Sequence, residues 1–394
     1  MAARNTRSGY GSVARGLHWL TALLIVAAFP LGMIAEAMPF DTSEAMARKA
    51  WVFSIHKTLG VAVFFLALTR ILWALTGEKP VPLHPGRRLE TFAAEAVHWA
   101  LYLSLVAVPL SGWLHHAAVE GFAPILWPFG QGLPLVPKSE TVAGLAGAAH
   151  WAFTKLLLAA VALHVLGAAK HAVLDRDGTL ARMLTGRQAG GAGARAPRLV
   201  PALLAAAVFA AGGAGAWAVA GRAPEGPETP AAAAAAGGNW QVAEGVLTFA
   251  VQQMGARVEG SLPAWTAKID FDESSGTGRV AVEIDLTRMT LGSVTEQAQG
   301  PEFFDVANHP AARFTAEIVP AGEGFEARGG LALRGAETAV TLPFTLEIAG
   351  DEARMAGRAV LDRRDFGMGA SYADDKTVGF AVEVAVELVA KRGG

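Results

Sequence analysis

The sequence predicts a multidomain chain: an all-α transmembrane four-helix bundle, one further transmembrane helix, then an all-β antiparallel barrel. Three observations predict it. The 394 residues are 52% hydrophobic and only 17% charged, a poor charge content for a soluble protein. Apolar runs near the ~20 residues that cross a bilayer recur through the first half. The second half alternates apolar and polar residues with period two. The charge divides at the same place. Residues 1–200 carry 18 Lys and Arg against 10 Asp and Glu, and residues 201–394 carry 15 against 25. No basic patch interleaved with aromatics points to nucleic acid.

The four bundle stretches lie at about 16–35, 51–75, 92–114 and 147–170. A fifth, LVPALLAAAVFAAGGAGAWAVA at 199–220, is rich in Ala and Gly. Short-loop cations orient them. Arg4, Arg7 and Arg15 precede the first stretch, and Lys79, Arg87 and Arg88 lie between the second and third. Lys170, Arg176, Arg182, Arg187, Arg195 and Arg198 follow the fourth. The other two loops carry only Arg48, Lys49 and Lys138. The N-terminus is therefore expected in the cytoplasm, and the fifth stretch carries the chain outward. GRAPEGPETPAAAAAAGG at 221–238 is too poor in large apolar groups to pack a core and reads as a linker of at most ~60 Å. Beyond it, TFAVQQ, GRVAVEIDL, RFTAEIV, TAVTLPFTLEI and GFAVEVAVELVA are separated by turn residues. About eight such strands suit a closed barrel holding one apolar ligand. The expected domains are 1–186, a connecting region 187–238, and 239–394.

Cysteine is absent, which excludes disulfides, thiolate metal sites and covalently attached haem. Histidine is left as the metal ligand. HWAFTKLLLAAVALH at 150–164 sets His150 and His164 fourteen residues apart. At 100° per residue that step falls about 40° short of whole turns, so both rings share a face, roughly 21 Å apart along the axis. Polar groups inside a membrane helix are costly and mark function. His56 opens the second stretch on the outer side, level with His150. His18 opens the first on the inner side, level with His164. Two imidazoles at one depth are what a six-coordinate b-type haem requires, and two such haems form an electron wire.

Other groups have roles to fill. His171 is a rival inner ligand, seven residues past His164 and on nearly the same face. His98 and Lys155 are candidate quinone or substrate contacts. Arg15, Arg70 and Lys57 are candidate cofactor-binding cations. Arg70, fourteen residues after His56, suits a haem propionate, because Arg pairs bidentately with carboxylates. Lys57 suits surface snorkelling better than Lys155 does. His115 and His116 end the third stretch on the outer side and read as solvated.

RGLHWLTALLI, WVFSIHKTLGV, the Arg70 position, AHWAFTKLLLAAVALHVLGAAKH and DRDGTLARM resemble the bacterial cytochrome b561 family over about 10–185. The resemblance implies a four-helix inner-membrane protein with two non-covalent b haems exchanging electrons with quinone. Some members oxidise superoxide at the outer face. The family's ligand histidines fall on His18, His56, His150 and His164. FFDVANHPAARF running into FTAEIV, GGLALRGAETAVTLPF and GFAVEVAVEL resemble YceI-like domains over 239–392. That implies a periplasmic lipocalin-like barrel binding isoprenoid chains, quinone-like molecules included. Phe249, Phe314, Leu342, Phe344 and Phe380 are candidate lining residues. Gln252 and Gln253 stand where that family commonly has a histidine.

The expected function is electron transfer between quinone or quinol and an outer-face partner, superoxide or a periplasmic redox protein, with a tethered barrel holding an isoprenoid such as ubiquinone. Two alternatives accompany it: an isoprenoid carrier or sensor for which the cytochrome is a redox-reporting anchor, and an anchor subunit for a separate dehydrogenase.

Overall fold

The structure is a computed structural model that describes residues 2–119, 123–190, 196, 198–220, 238–292 and 294–393. Residues 221–237 of the linker, and Arg195, lie outside the described residues. The chain divides into two compact units. One comprises Met1–Ala37, Trp51–Ala118 and Pro124–Pro224; the other comprises Met38–Ala50, Val119–Ala123 and Glu225–Gly394.

The first unit is helical because lipid leaves a spanning backbone no water to bond, so its polar groups are satisfied within the helix. Among the described residues, five helices are long and apolar enough to cross a membrane: α1 (Ser12–Ala37), α2 (Ser43–Leu75), α3 (Arg88–Ala118), α4 (Glu140–Lys170) with the turn that extends it to Asp175, and α6 (Leu199–Ala220). A short helix, α5 (Thr179–Leu184), intervenes. The helices overrun the apolar stretches, most at α2, which starts at Ser43 rather than near 51. Hydropathy marks the part that fits lipid. A polar helical extension such as SEAMARK, with Glu44 in its first turn and an Arg48–Glu44 pair at 2.8 Å, carries no apolar signal. The Ser139 hydroxyl caps α4, accepting from the Val142 amide at 3.4 Å. A π turn, His171–Asp175, ends it at Arg176, whose φ is 50°. Phe209 of α6 stacks on Phe153 of α4 at 5.4 Å, beside Gly212, where an added Cβ would meet Leu156 at 3.2 Å. Small residues let membrane helices approach closely.

The second unit is built on a closed antiparallel barrel. Its strands are β1 (Trp240–Gln253), β2 (Ala256–Ser261), β3 (Trp265–Asp272), β4 (Thr277–Asp285), β5 (Ala311–Ala321), β6 (Gly324–Leu333), β7 (Ala336–Ala349), β8 (Glu352–Asp362) and β9 (Val378–Arg392). β2 and β3 both pair with β1 and are halves of one strand, broken around Pro263, which has no N–H for a ladder. The ring is therefore eight-stranded, as the periodicity predicts. β1 closes it on β9, from Trp240 opposite Arg392 to Gln253 opposite Val378. Alternation turns one side of each strand inward, into a cluster that includes Phe249, Trp265, Leu286 and Phe366 and a second that includes Trp240, Phe271 and Phe344. A short helix, α7 (Thr295–Gln299), lies between β4 and β5 and puts Gln297 and Ala298 in the wall of the interior.

Candidate functional site

The four histidines chosen by depth meet in pairs. The His56 and His150 ring centroids lie 6.4 Å apart, and those of His18 and His164 lie 6.0 Å apart. Two imidazoles sharing one metal, each bonded at about 2 Å, put their ring centres about 6 Å apart. Both spacings suit that arrangement.

The outer pair is oriented by one device used twice. His56 Nδ1 lies 2.8 Å from the Ala28 carbonyl oxygen of α1, and His150 Nδ1 lies 2.8 Å from the Val108 carbonyl oxygen of α3. A carbonyl only accepts, so each Nδ1 carries the proton and each Nε2 keeps its lone pair for a metal. Each carbonyl also has a second lone pair, so bonding an imidazole need not cost its helical bond. The glycine four residues on makes the approach possible. A Cβ at Gly32 would stand 2.8 Å from the His56 ring, and one at Gly112 would stand 2.9 Å from the His150 ring. Four residues is just over one helical turn, so carbonyl and glycine lie on one face and form a slot for the ring.

The same device recurs at His115, which the sequence reads as solvated. Its Nδ1 bonds the Ala143 carbonyl at 2.8 Å, and Gly147 leaves the space, an added Cβ lying 3.2 Å from the ring. His115 is half-buried and its ring lies 4.7 Å from that of His116. The oriented ring escaped sequence reasoning because its carbonyl and glycine belong to another helix. The signal that could have found it is the small residue facing it across the bundle.

On the inner side, the His98 ring stands edge-on to His164 with centroids 5.2 Å apart. Arg70 packs on the Tyr102 ring at 5.8 Å. Arg15 donates to the Leu184 carbonyl at 3.1 Å. His171 is occupied elsewhere: its Nδ1 bonds Asp177 at 2.8 Å and its Nε2 lies 3.3 Å from Glu90. Asp177 also takes His84 at 2.9 Å and caps Thr179 at 2.8 Å. Burial alone would raise the Asp177 carboxyl, but Thr179, His171 and His84 hold it well below the usual carboxylate range. Lys170 spans Glu90 and Asp175 at 2.5 and 2.7 Å. The two outer lysines reverse the expected burial: Lys57 is buried at 7% exposure, while Lys155 is exposed and lies over the Trp151 ring at 5.3 Å.

The barrel encloses a cavity of ≈ 280 Å³. Phe249, Phe314, Leu342 and Phe344 line it, and Phe380 does not. The pairing slips between Val251, opposite Val382, and Gln253, opposite Val378. That irregularity breaks the alternation at Phe380, whose ring lies under the Arg364 and Arg363 guanidinium groups at 4.0 and 5.0 Å. Three polar side chains in the lining are Gln253, Gln297 and Arg363. Arg363 spends its donors on the carbonyls of Gly379, Met368, Gly369, Tyr372 and Val378.

The chain sets helices long and apolar enough to cross a membrane, with imidazoles facing in pairs, before an apolar-lined barrel. Residues 9–186 match the family described as prokaryotic cytochrome b561, and residues 239–390 match the YceI-like domain. The chain thus joins a cytochrome b561-type region, whose family implies haem b and membrane electron transfer, to a YceI-like domain. Cytochrome b561 homolog 2 of Escherichia coli (strain K12) is 29% identical over 47% of this chain and 95% of its own length. The probable superoxide oxidase CybB of Yersinia pestis is 27% identical over 44% of this chain and 95% of its own. The crystal structure of Burkholderia cenocepacia BcnA is 26% identical over 37% of this chain and 95% of that one, with a TM-score of 0.35.

Proposed function

We propose that the chain is a two-haem quinone-linked oxidoreductase of the bacterial inner membrane whose tethered periplasmic barrel, residues 239–394, holds an isoprenoid lipid. The membrane domain is residues 1–186, and 187–238 connects the two. The observation that carries the reading is the pair of opposed imidazole sets, 6.4 and 6.0 Å between ring centres. Bound between them, haem b supplies one-electron redox chemistry. His56 and His150 would hold the outer group through Nε2, with Nδ1 anchored on Ala28 and Val108. His18 and His164 would hold the inner one, with Arg70 beside them for a propionate. His98, whose ring lies against His164, would meet a quinone head. Lys57, buried next to His56 in the chain, is a candidate group for meeting an anionic outer substrate such as superoxide.

The test is a haem count with spectra. The full-length protein should bind two haem b per chain by pyridine haemochrome assay. Quinol or superoxide should reduce them, as a reduced-minus-oxidised spectrum reports. A single haem in the parent protein overturns the wire.

The apolar cavity favours a second reading, in which the barrel is a lipid carrier or sensor and the cytochrome anchors it. An isoprenoid tail gains ~0.8 kcal/mol per buried CH₂, so a dry barrel holds it with little polar help. Haems that neither quinol nor superoxide reduces, in a protein that still copurifies with an isoprenoid, would favour that reading.

A further inference from the structure

We infer that Gln253 selects the head group of the barrel's lipid and that it selects a hydroxyl: an isoprenoid with a free O–H, a quinol or a polyprenol, rather than a head of bare carbonyls or ethers. The inference rests on the lipid-holding reading of the barrel.

Gln253 ends β1, is 5% exposed and lines the cavity. Its Nε2 lies 3.8 Å from the Met46 sulfur, and its Oε1 has no hydrogen-bond partner among the described residues. Amide nitrogen and oxygen are assigned from their surroundings, and here the surroundings decide. A thioether sulfur accepts weakly and has no proton to give. The –NH₂ therefore faces Met46, and the acceptor is left over. A buried acceptor without a donor is unfavourable, and what satisfies it must bring a proton.

The other polar donors at this end have partners. Arg363 is committed to five backbone carbonyls, as above. Gln297 Nε2 donates to the Tyr372 hydroxyl at 2.8 Å, and that hydroxyl donates to the Phe40 carbonyl. The same segment closes the end. Met46 is 1% exposed and packs with Tyr372, Val378, Val251, Met254 and Phe303, and the Ser43 amide donates to the Ser371 carbonyl at 3.2 Å. Among the described residues, one other lining residue has a fully buried polar atom without a partner: Trp240, through Nε1, at the opposite end of β1. It is a donor and would take a carbonyl. It sits among Phe271, Phe344 and Ala390, without a second polar side chain of the lining in its cluster, so the Gln253 end is the better seat for a head.

The test uses the full-length protein in detergent, stripped of lipid, with two redox-inert probes: geranylgeraniol and its methyl ether, which differ by one O–H donor. Wild type should prefer the alcohol by about tenfold, the size of one hydrogen bond to a buried partner. Gln253→Leu should lose the preference and keep its affinity for the ether. Gln253→Glu should keep the preference, because an acceptor remains. Trp240→Phe should keep it too. Unchanged haem spectra and far-UV circular dichroism show that the variants fold. Anaerobic extraction of freshly purified protein, read by mass spectrometry, then tells a quinol from a polyprenol. Equal affinity for the two probes in wild type, or loss of preference in Trp240→Phe rather than Gln253→Leu, overturns the assignment while leaving lipid binding intact. Failure of wild type to bind either probe overturns both.

Discussion

Fixing one imidazole nitrogen leaves the other free for a metal, and His56 and His150 each have Nδ1 fixed on a backbone carbonyl beside a glycine. His150→Ala should remove the outer haem and leave the inner one, and His164→Ala the reverse. Pyridine haemochrome assay of each should read one haem in place of two. Gly112→Val tests the slot rather than the ligand. Its Cβ would stand 2.9 Å from His150 Nδ1, so the ring must leave the Val108 carbonyl. The outer haem should be lost or its band shifted although all four histidines remain, and an unchanged spectrum would show that the slot is unnecessary. Asp177 gives a pH prediction. Its carboxyl is held below its ordinary value near 3.9 by Thr179, His171 and His84, against the effect of burial. A depressed carboxyl contributes stability that is fully present above the unfolded value and lost as pH falls through the folded one. Thermal unfolding in detergent should therefore show no effect of this group between pH 5 and 8 and a loss beginning below about pH 4. Asp177→Asn should cost about 1–3 kcal/mol at neutral pH and flatten that acid limb.

At the scale of elements, the helices and strands were legible from the sequence because lipid demands a long apolar run and a half-buried sheet imposes a period of two. The apolar stretches located five helices long and apolar enough to span, and the alternation located the ring. Helix ends were not legible where a polar extension such as 43–50 continues the helix. The inward face of β9 was not legible at Phe380 either. A register slip against β1 reverses the alternation there, and register is a property of two strands. α6 supplies the topological prediction. If it crosses the membrane outward, protease added to intact spheroplasts should release a soluble fragment carrying residues 239–394. A fragment protected until the membrane is broken would put the barrel in the cytoplasm and remove α6 from the list of spans.

For the whole molecule, the prediction concerns what the barrel adds. Residues 221–237 connect the two regions, and a short tether raises effective concentration to roughly millimolar. Deleting residues 239–394 should leave the haem spectrum unchanged and slow quinone-dependent haem oxidation. An unaltered rate would separate the barrel's role from the quinone reaction. The sequence by itself determined what depends on spacing along one chain segment: the spans, the strand count, the absence of thiolate chemistry, and the shared helix face of His150 and His164. Only the tertiary structure decided what depends on two segments meeting. It opposed His56 to His150 and His18 to His164, turned His171 onto Asp177, and oriented His115. It also kept Phe380 out of the cavity lining and left Gln253 Oε1 without a partner among the described residues. Periodicity is written locally in each segment, whereas a hydrogen bond between helices or a register between strands depends on the partner, which one segment does not encode.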